Sequence, residues 1–152
     1  MVKIKNSQKK ITIDEKQAEK TTKEILEILG YSDFDIGIWF TTNQTIRKYN
    51  RAYRKKDKPT DILAFQFHPE AKAGQKIAAT SDDEKNLGDL IISLEYAKKD
   101  AVKLGKPLEA HLKKLIVHGI CHLIGYTHET EQNYKKMAQK EKQILDGLKN
   151  KA

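Results

Sequence analysis

The stretch His118-Gly119-Ile120-Cys121-His122-Leu123-Ile124-Gly125-Tyr126-Thr127-His128 constrains this chain more than any other. His118 and His122 stand four residues apart in a run of helical apolar periodicity, so a helix puts both imidazoles on one face, one turn apart. Gly125 can take the positive φ that lets a helix end and the chain turn back, which brings His128 to the same point in space as a third ligand. Three neutral imidazoles suit zinc. A catalytic zinc keeps three protein ligands and an open fourth position, whereas structural zinc is closed by four ligands, usually with several cysteines. The chain offers three histidines in this frame and a single cysteine, so an open site with one zinc per chain is expected.

A lone His-x3-His pair fits an ordinary helical core equally well. The third histidine changes that, because His118, His122, Gly125 and His128 fall on the ligand frame of the metzincin proteases. Those proteases carry Glu directly after the first histidine as general base, and here that position is Gly119. Peptide hydrolysis by the usual mechanism is therefore disfavoured, although a metal can still lower the pKa of a bound water to roughly 7.

A chain of 152 residues is most simply one domain, 1–152, and can bury a real core. No apolar run approaches the length of a transmembrane helix, and the basic start, Met1 to Lys10, lacks an apolar signal-peptide core. A soluble, unsecreted protein without a membrane partner is expected, and one cysteine fits a reducing compartment. The formal net charge of +8 favours polyanionic partners, nucleic acid first. Much of the excess lies between Arg47 and Asp61, where seven basic residues stand against two acidic ones. Arg51, Arg54, Lys55, Lys56 and Lys58 of this run are the candidate RNA-binding residues.

Strand regions are expected at Val2 to Ile4, with Ile11 to Ile13 as a continuation, and at Asp35 to Phe40, Ile62 to Phe67 and Gly88 to Ser93. Asp14 with Gln17 resembles a capping box opening a helix that Gly30 ends, and Thr42 or Asn43 caps a short helix carrying Ile46, Tyr49 and Tyr53. The polar stretch His68 to Asn86 reads as a long flexible excursion. A helix over Leu94 to Leu104 stops at Gly105, and Pro107 starts the central helix, with Leu108, Leu112, Leu115, Ile116, Gly119, Ile120 and Leu123 as its buried stripe. Thr130 caps a last helix with Tyr134, Met137, Ala138, Ile144, Leu145 and Leu148 inward. The mixed order implies an α+β or α/β fold around a small mixed sheet of three to four strands.

Beyond its charge, the stretch from Tyr49 to Phe65 places Arg54 at a helix end beside a rigid Pro59-Thr60-Asp61 turn, where its planar fork can meet a phosphate bidentately. This stretch, the Leu87 to Ser93 strand, the Gly105 to His111 segment and the histidine motif occur in the same order as in the YbeY family of rRNA maturation endoribonucleases, which the chain resembles from about Asp35 to its last helix. The resemblance implies a zinc-dependent, single-strand-specific endoribonuclease acting in small-subunit rRNA 3′-end maturation and ribosome quality control. Its partners would be single-stranded RNA, rRNA and the small subunit with its proteins. The family's zinc ligands fall on His118, His122 and His128, and its functionally important arginine on Arg54. Bacterial members usually read Gly-Tyr-Asp-His where this chain has Gly125-Tyr126-Thr127-His128. An Asp there can orient a ligand, which the uncharged Thr127 does only weakly. Thr127 and the Asp33 to Ile38 and Gln139 to Lys142 stretches look closer to eukaryotic, mitochondrial members. The compartment is cytoplasmic if the source is bacterial and mitochondrial if it is eukaryotic.

Arg54 and His118 are the candidate catalytic residues. Asp61 and Asp89 are general-base candidates only if the fold brings them close, and turn or strand-end roles are the simpler expectation. His111, seven before His118, reads first as a satisfied core histidine, Cys121 as a buried free thiol, and Tyr49 and Tyr53 as core residues that could otherwise stack bases. A non-catalytic zinc-containing ribosome assembly or RNA-binding factor is the alternative, and a metalloprotease the least favoured reading.

Overall fold

The computed structural model describes residues 1–151. In chain order these form β1 (Val2–Asn6), α1 (Glu15–Leu29), β2 (Asp35–Thr41), α2 (Asn43–Arg54), β3 (Ile62–Gln66), β4 (Asn86–Ser93), α3 (Leu94–Leu104), α4 (Leu108–Leu123) and α5 (Glu131–Lys151). The sheet order is β1-β2-β4-β3, with β1, β2 and β4 parallel and β3 antiparallel to β4 at the edge. This is an α+β fold with a four-stranded mixed sheet, as the order of sequence patterns implies.

Strand alternation decides what each face of the sheet packs against. Ile36, Ile38 and Phe40 of β2 and Leu90 and Ile92 of β4 point into the main core with residues of α1, α4 and α5. Trp39, Ile91, Leu63 and Phe65 point to the opposite face, where Ile46 and Tyr49 of α2 meet them. α4 lies against β3, β4, α1, α3 and α5, so Val117 and Cys121 are buried as well as most of the predicted stripe.

Local capping follows the sequence closely. Asp14 accepts a hydrogen bond from the Gln17 N–H at 3.0 Å, but the Gln17 side chain donates to Thr21 and does not close a reciprocal box. Thr42 caps α2, Ser93 caps α3, and Thr130 accepts from the Asn133 N–H at the start of α5. Pro107 is the residue before the first turn of α4, with an extended ψ of 144°.

Several expectations need correction. Ile11 to Ile13 form no strand; Ile11 and Ile13 pack as loop residues against the core. Tyr134 and Ala138 are exposed, because Met137 is the first α5 residue to enter the core and Ala138 lies off the line through Met137, Ile144 and Leu148. Tyr53 is 67% exposed and is not a core tyrosine, whereas half-buried Tyr49 packs against the Ile46, Leu63 and Ile91 cluster. The stretch from His68 to Asn86 is tied to the body of the molecule. Ile77 is buried and its N–H donates to the Tyr31 hydroxyl at 2.9 Å, while buried His68 is held between the Glu70 carboxylate and the Glu84 carbonyl.

Candidate metal centre

The end of α4 builds the site. Gly125 has φ +105°, its N–H donates to the His122 carbonyl at 3.1 Å, and the Tyr126 N–H donates to the Cys121 carbonyl at 3.0 Å. A Cβ at Gly125 would stand 2.6 Å from the Ala71 carbonyl oxygen, so both the backbone sign and the space require glycine. The turn returns His128 to His118 and His122, and one ring nitrogen from each lies within 4.8 Å of the others.

Hydrogen bonding fixes what those rings present. Nδ1 of His118 faces a carboxylate oxygen of Glu141 at 3.0 Å, and Nδ1 of His122 faces the Tyr126 carbonyl at 2.9 Å. Both partners are acceptors, so both Nδ1 atoms carry the hydrogen and both Nε2 atoms present lone pairs. Those two Nε2 atoms are 3.2 Å apart. Two lone pairs at that separation repel unless a cation lies between them. Tetrahedral ligands at about 2.0–2.1 Å from zinc are themselves separated by roughly 3.3–3.4 Å, so the donor set fits a divalent metal of this kind. Burial, reinforced by the neighbouring His118, pushes the His122 pKa down to about 4 and keeps its imidazole in the neutral form that ligates.

The triad opens into a cleft of about 480 Å³ whose opposite wall is built by β3 and the end of α2. Arg54, Thr60, Asp61, Gln66 and Glu129 line it together with the three histidines. Asn50 positions that wall: it is buried, its side-chain amide donates to the Lys58 carbonyl at 2.8 Å, and its backbone carbonyl accepts from the Lys56 N–H. Lys55 ends α2 in the left-handed conformation at φ 59°, and an Arg47–Asp57 ion pair at 2.8 Å draws the loop back onto the helix.

Arg54 is the one of the five predicted RNA-binding cations that lines the cleft; Arg51, Lys55, Lys56 and Lys58 are exposed beside it. Among the described residues none of the five has a carboxylate partner within 4.0 Å. Asp61 reaches the cleft, but its Oδ1 accepts the Ile62 N–H at 2.7 Å and the Thr60 hydroxyl at 3.3 Å. Asp89 lies on the far face of the sheet and is not brought to the triad. Cys121 is fully buried, and burial pushes its thiol pKa up to about 12, which fits the inert-thiol expectation. His111 is buried apart from the metal cluster with neither ring nitrogen bonded among the described residues, so it is a core histidine but not a satisfied one.

Gly119 has a packing reason. A Cβ there would lie 2.7 Å from Ile62 Cδ1 and 2.7 Å from Leu90 Cδ2, so α4 approaches the sheet through the missing side chain. A protease-type Glu has no room at that position.

Two carboxylates were missed by sequence reasoning. Glu141 sits four residues after Met137 and three before Ile144, a polar residue on the apolar line of α5, and that misfit was its signal. Glu129 follows His128 into the cleft without a polar partner among the described residues, and nothing in its sequence setting marked it.

A family model described as endoribonuclease YbeY matches residues 3–149, a longer span than the motifs alone mark out. An endoribonuclease YbeY of Homo sapiens is 38% identical over 145 residues, covering 95% of this chain and 86% of that one. Another of that name, from Aquifex aeolicus, is 40% identical over 141 residues, covering 92% and 87%. A solution structure of a Thermotoga maritima protein shares the fold, with a TM-score of 0.58 at 20% identity over 99% of this chain and 93% of that one. A match running from the first strand to the last helix, with relatives this similar along nearly their whole length, leaves one assignment: the chain belongs to the YbeY family.

Proposed function

We propose that this chain is a zinc-dependent, single-strand-specific endoribonuclease of small-subunit rRNA 3′-end maturation and ribosome quality control, with the small subunit and its proteins as partners. The observation that carries the reading is the convergence of two Nε2 lone pairs, 3.2 Å apart, with His128 and a guanidinium free of carboxylate partners among the described residues, in one cleft. The names of its relatives support the ribonuclease class, and the resemblance of its four motifs supports the rRNA assignment.

His118, His122 and His128 would hold the ion. When bound, zinc supplies Lewis acidity toward a phosphate or water oxygen. Arg54 binds the scissile phosphate through two parallel N–H donors and stabilises the charge that builds on its oxygens in the transition state. Glu129, a cleft carboxylate without a partner among the described residues, accepts the proton that leaves the attacking water, ahead of Asp61, whose Oδ1 is held by the Ile62 N–H. Glu141 and the Tyr126 carbonyl hold the two α4 imidazoles in the tautomer that leaves Nε2 free.

The test is zinc content measured together with cleavage of a single-stranded rRNA 3′-end fragment, comparing the protein with His122→Ala and with chelator-treated protein, in nuclease-free preparations. Cleavage that disappears with the metal and returns on zinc addition is the expected result. Stoichiometric zinc with no cleavage, alone or with purified small subunits, overturns the enzymatic reading in favour of a binding factor.

A further inference from the structure

The face of the sheet turned away from the metal triad is only partly covered. α2 lies over β3 and β4, while the β1 and β2 side forms a groove of about 470 Å³ over Gly37. One wall is a continuous run of rings. Trp39 meets Tyr49 edge-on at 5.5 Å, Tyr49 stacks on Tyr53 at 6.2 Å with planes 8° apart, and Tyr53 meets Phe65 edge-on at 5.2 Å. The run crosses from β2 to the edge strand β3, and Phe65 is the last ring of the groove and at the same time part of the wall of the metal cleft. Tyr53 precedes Arg54, which lines that cleft.

Charge completes the pattern. Lys3 and Lys5 line the groove, and Lys5 Nζ sits 4.4 Å over the Trp39 ring. Arg51, Lys55, Lys56 and Lys58, exposed and without an ion pair among the described residues, flank Tyr53 in sequence. A single acid, Asp89, lies in the groove, where its side chain covers Gly37.

We infer that this aromatic groove is a base-stacking subsite for single-stranded RNA, continuous around β3 with the metal cleft, so that a strand lies with its bases on Tyr53 and Phe65 and beside Trp39, and its phosphates on the lysine rim. The inference rests on the ribonuclease reading above and adds to it where the substrate lies outside the cleavage point. Ring faces bind any base, and a basic track holds the backbone. An apolar protein segment seated here would leave that many lysines unneutralised. Asp89 repels phosphate and accepts hydrogen bonds, so the bases face inward, and cytosine, whose exocyclic amine donates to it, is preferred over uracil, whose one ring N–H lies between two carbonyls.

Trp39 is the only tryptophan of the chain, so its fluorescence reports directly on this groove. The experiment titrates zinc-loaded protein with 2′-O-methyl octanucleotides of C and of U, shown intact by gel afterwards, and with inorganic polyphosphate. Expected are quenching by the oligonucleotides but not by polyphosphate, tighter binding of the C oligomer, and affinity weakened roughly 5- to 100-fold by Tyr53→Ala but restored by Tyr53→Phe. Because Tyr53 is exposed, its truncation leaves the fold intact, which circular dichroism checks. Equal quenching by polyphosphate, or oligonucleotide binding that ignores Tyr53→Ala and leaves Trp39 fluorescence unchanged, overturns the subsite and leaves the groove to a protein partner. Cleavage of unmodified RNA is scored in parallel. Cleavage without a Trp39 response refutes the subsite alone, and a Trp39 response without cleavage refutes the ribonuclease reading alone.

Discussion

Glu141 and His118 meet across the α4–α5 interface, carboxylate oxygen to Nδ1 at 3.0 Å, although 23 residues separate them in sequence. Thr127, the residue beside the third histidine, makes no side-chain bond to any of the three imidazoles among the described residues. The charge that orients the site therefore comes from the last helix and not from the turn. Removing it frees the His118 ring to rotate and lowers the basicity of its Nε2. Glu141→Ala should weaken zinc binding by about 10- to 100-fold, with Glu141→Gln between it and the native protein. Competition against a chromogenic chelator measures this, and an unchanged affinity would remove Glu141 from the site.

Gly119 sets how closely α4 approaches the sheet. Gly119→Ala gains helix propensity worth up to ~1 kcal/mol but forces the Ile62 and Leu90 methyls aside, an overpacking that typically costs about 1–3 kcal/mol. A net loss of about 1 kcal/mol is expected in urea denaturation. Gly119→Glu should be far less stable and should show no peptidase activity. A stable Gly119→Glu protein that cleaved unstructured peptide would reverse the packing account of this residue.

The depressed pKa of His122 gives the metal-free protein an acid sensitivity of defined sign. Unfolded, the ring titrates near its ordinary value of 6.5; folded, burial and the neighbouring His118 lower it to about 4. The unfolded state thus binds the proton more readily, so this contribution to stability is complete above pH 6.5 and is lost as pH falls toward 4. Urea midpoints of the metal-free protein measured between those pH values should fall on acidification, and His122→Gln should flatten the slope. A profile identical in both proteins would mean that His122 is not the group responsible.

How much of this was legible in the sequence depends on whether the cause was local. The triad could be read because His118 and His122 share a helix face by spacing and Gly125 announces the turn that returns His128. The four strands and most of the caps were legible for the same reason. Glu141 was not, since its partner sits on another helix and only three-dimensional packing brings them together. The 68–86 stretch misled because its few anchors, His68 and Ile77, are sparse in a polar setting and bond to distant groups such as the Tyr31 hydroxyl. Tyr53 misled because helical spacing is the same for a core face and for an aromatic wall. Asn50, fully buried and binding the loop that carries Lys58, looked like any polar residue of a basic helix.

The cations after α2 should act through the phosphate backbone. Lys55, Lys56 and Lys58 are exposed, carry no ion pair among the described residues, and stand outside the cleft. Replacing all three by alanine should weaken single-stranded RNA binding at low salt and lower the slope of log affinity against log salt by about 2, since each phosphate contact on a single strand contributes roughly 0.7. Zinc content should not change. A slope equal to that of the native protein would take these lysines out of the RNA path.

Arg54 separates charge from geometry. Its neighbours Arg51, Lys55, Lys56 and Lys58 can hold a polyanion near the cleft, but Arg54 alone of these reaches the wall opposite the histidines, where Asn50 fixes the end of its helix. Arg54→Lys keeps the positive charge and loses the planar fork. If the fork grips the scissile phosphate as its charge grows, cleavage should fall by about 10²- to 10³-fold while RNA affinity changes only a few-fold and zinc content stays the same. Arg54→Glu should abolish cleavage, again with zinc retained. Single-turnover cleavage, with binding measured separately, resolves the two effects. Should Arg54→Lys cleave at the native rate, point charge alone would account for the residue, and the bidentate contact would have to be abandoned.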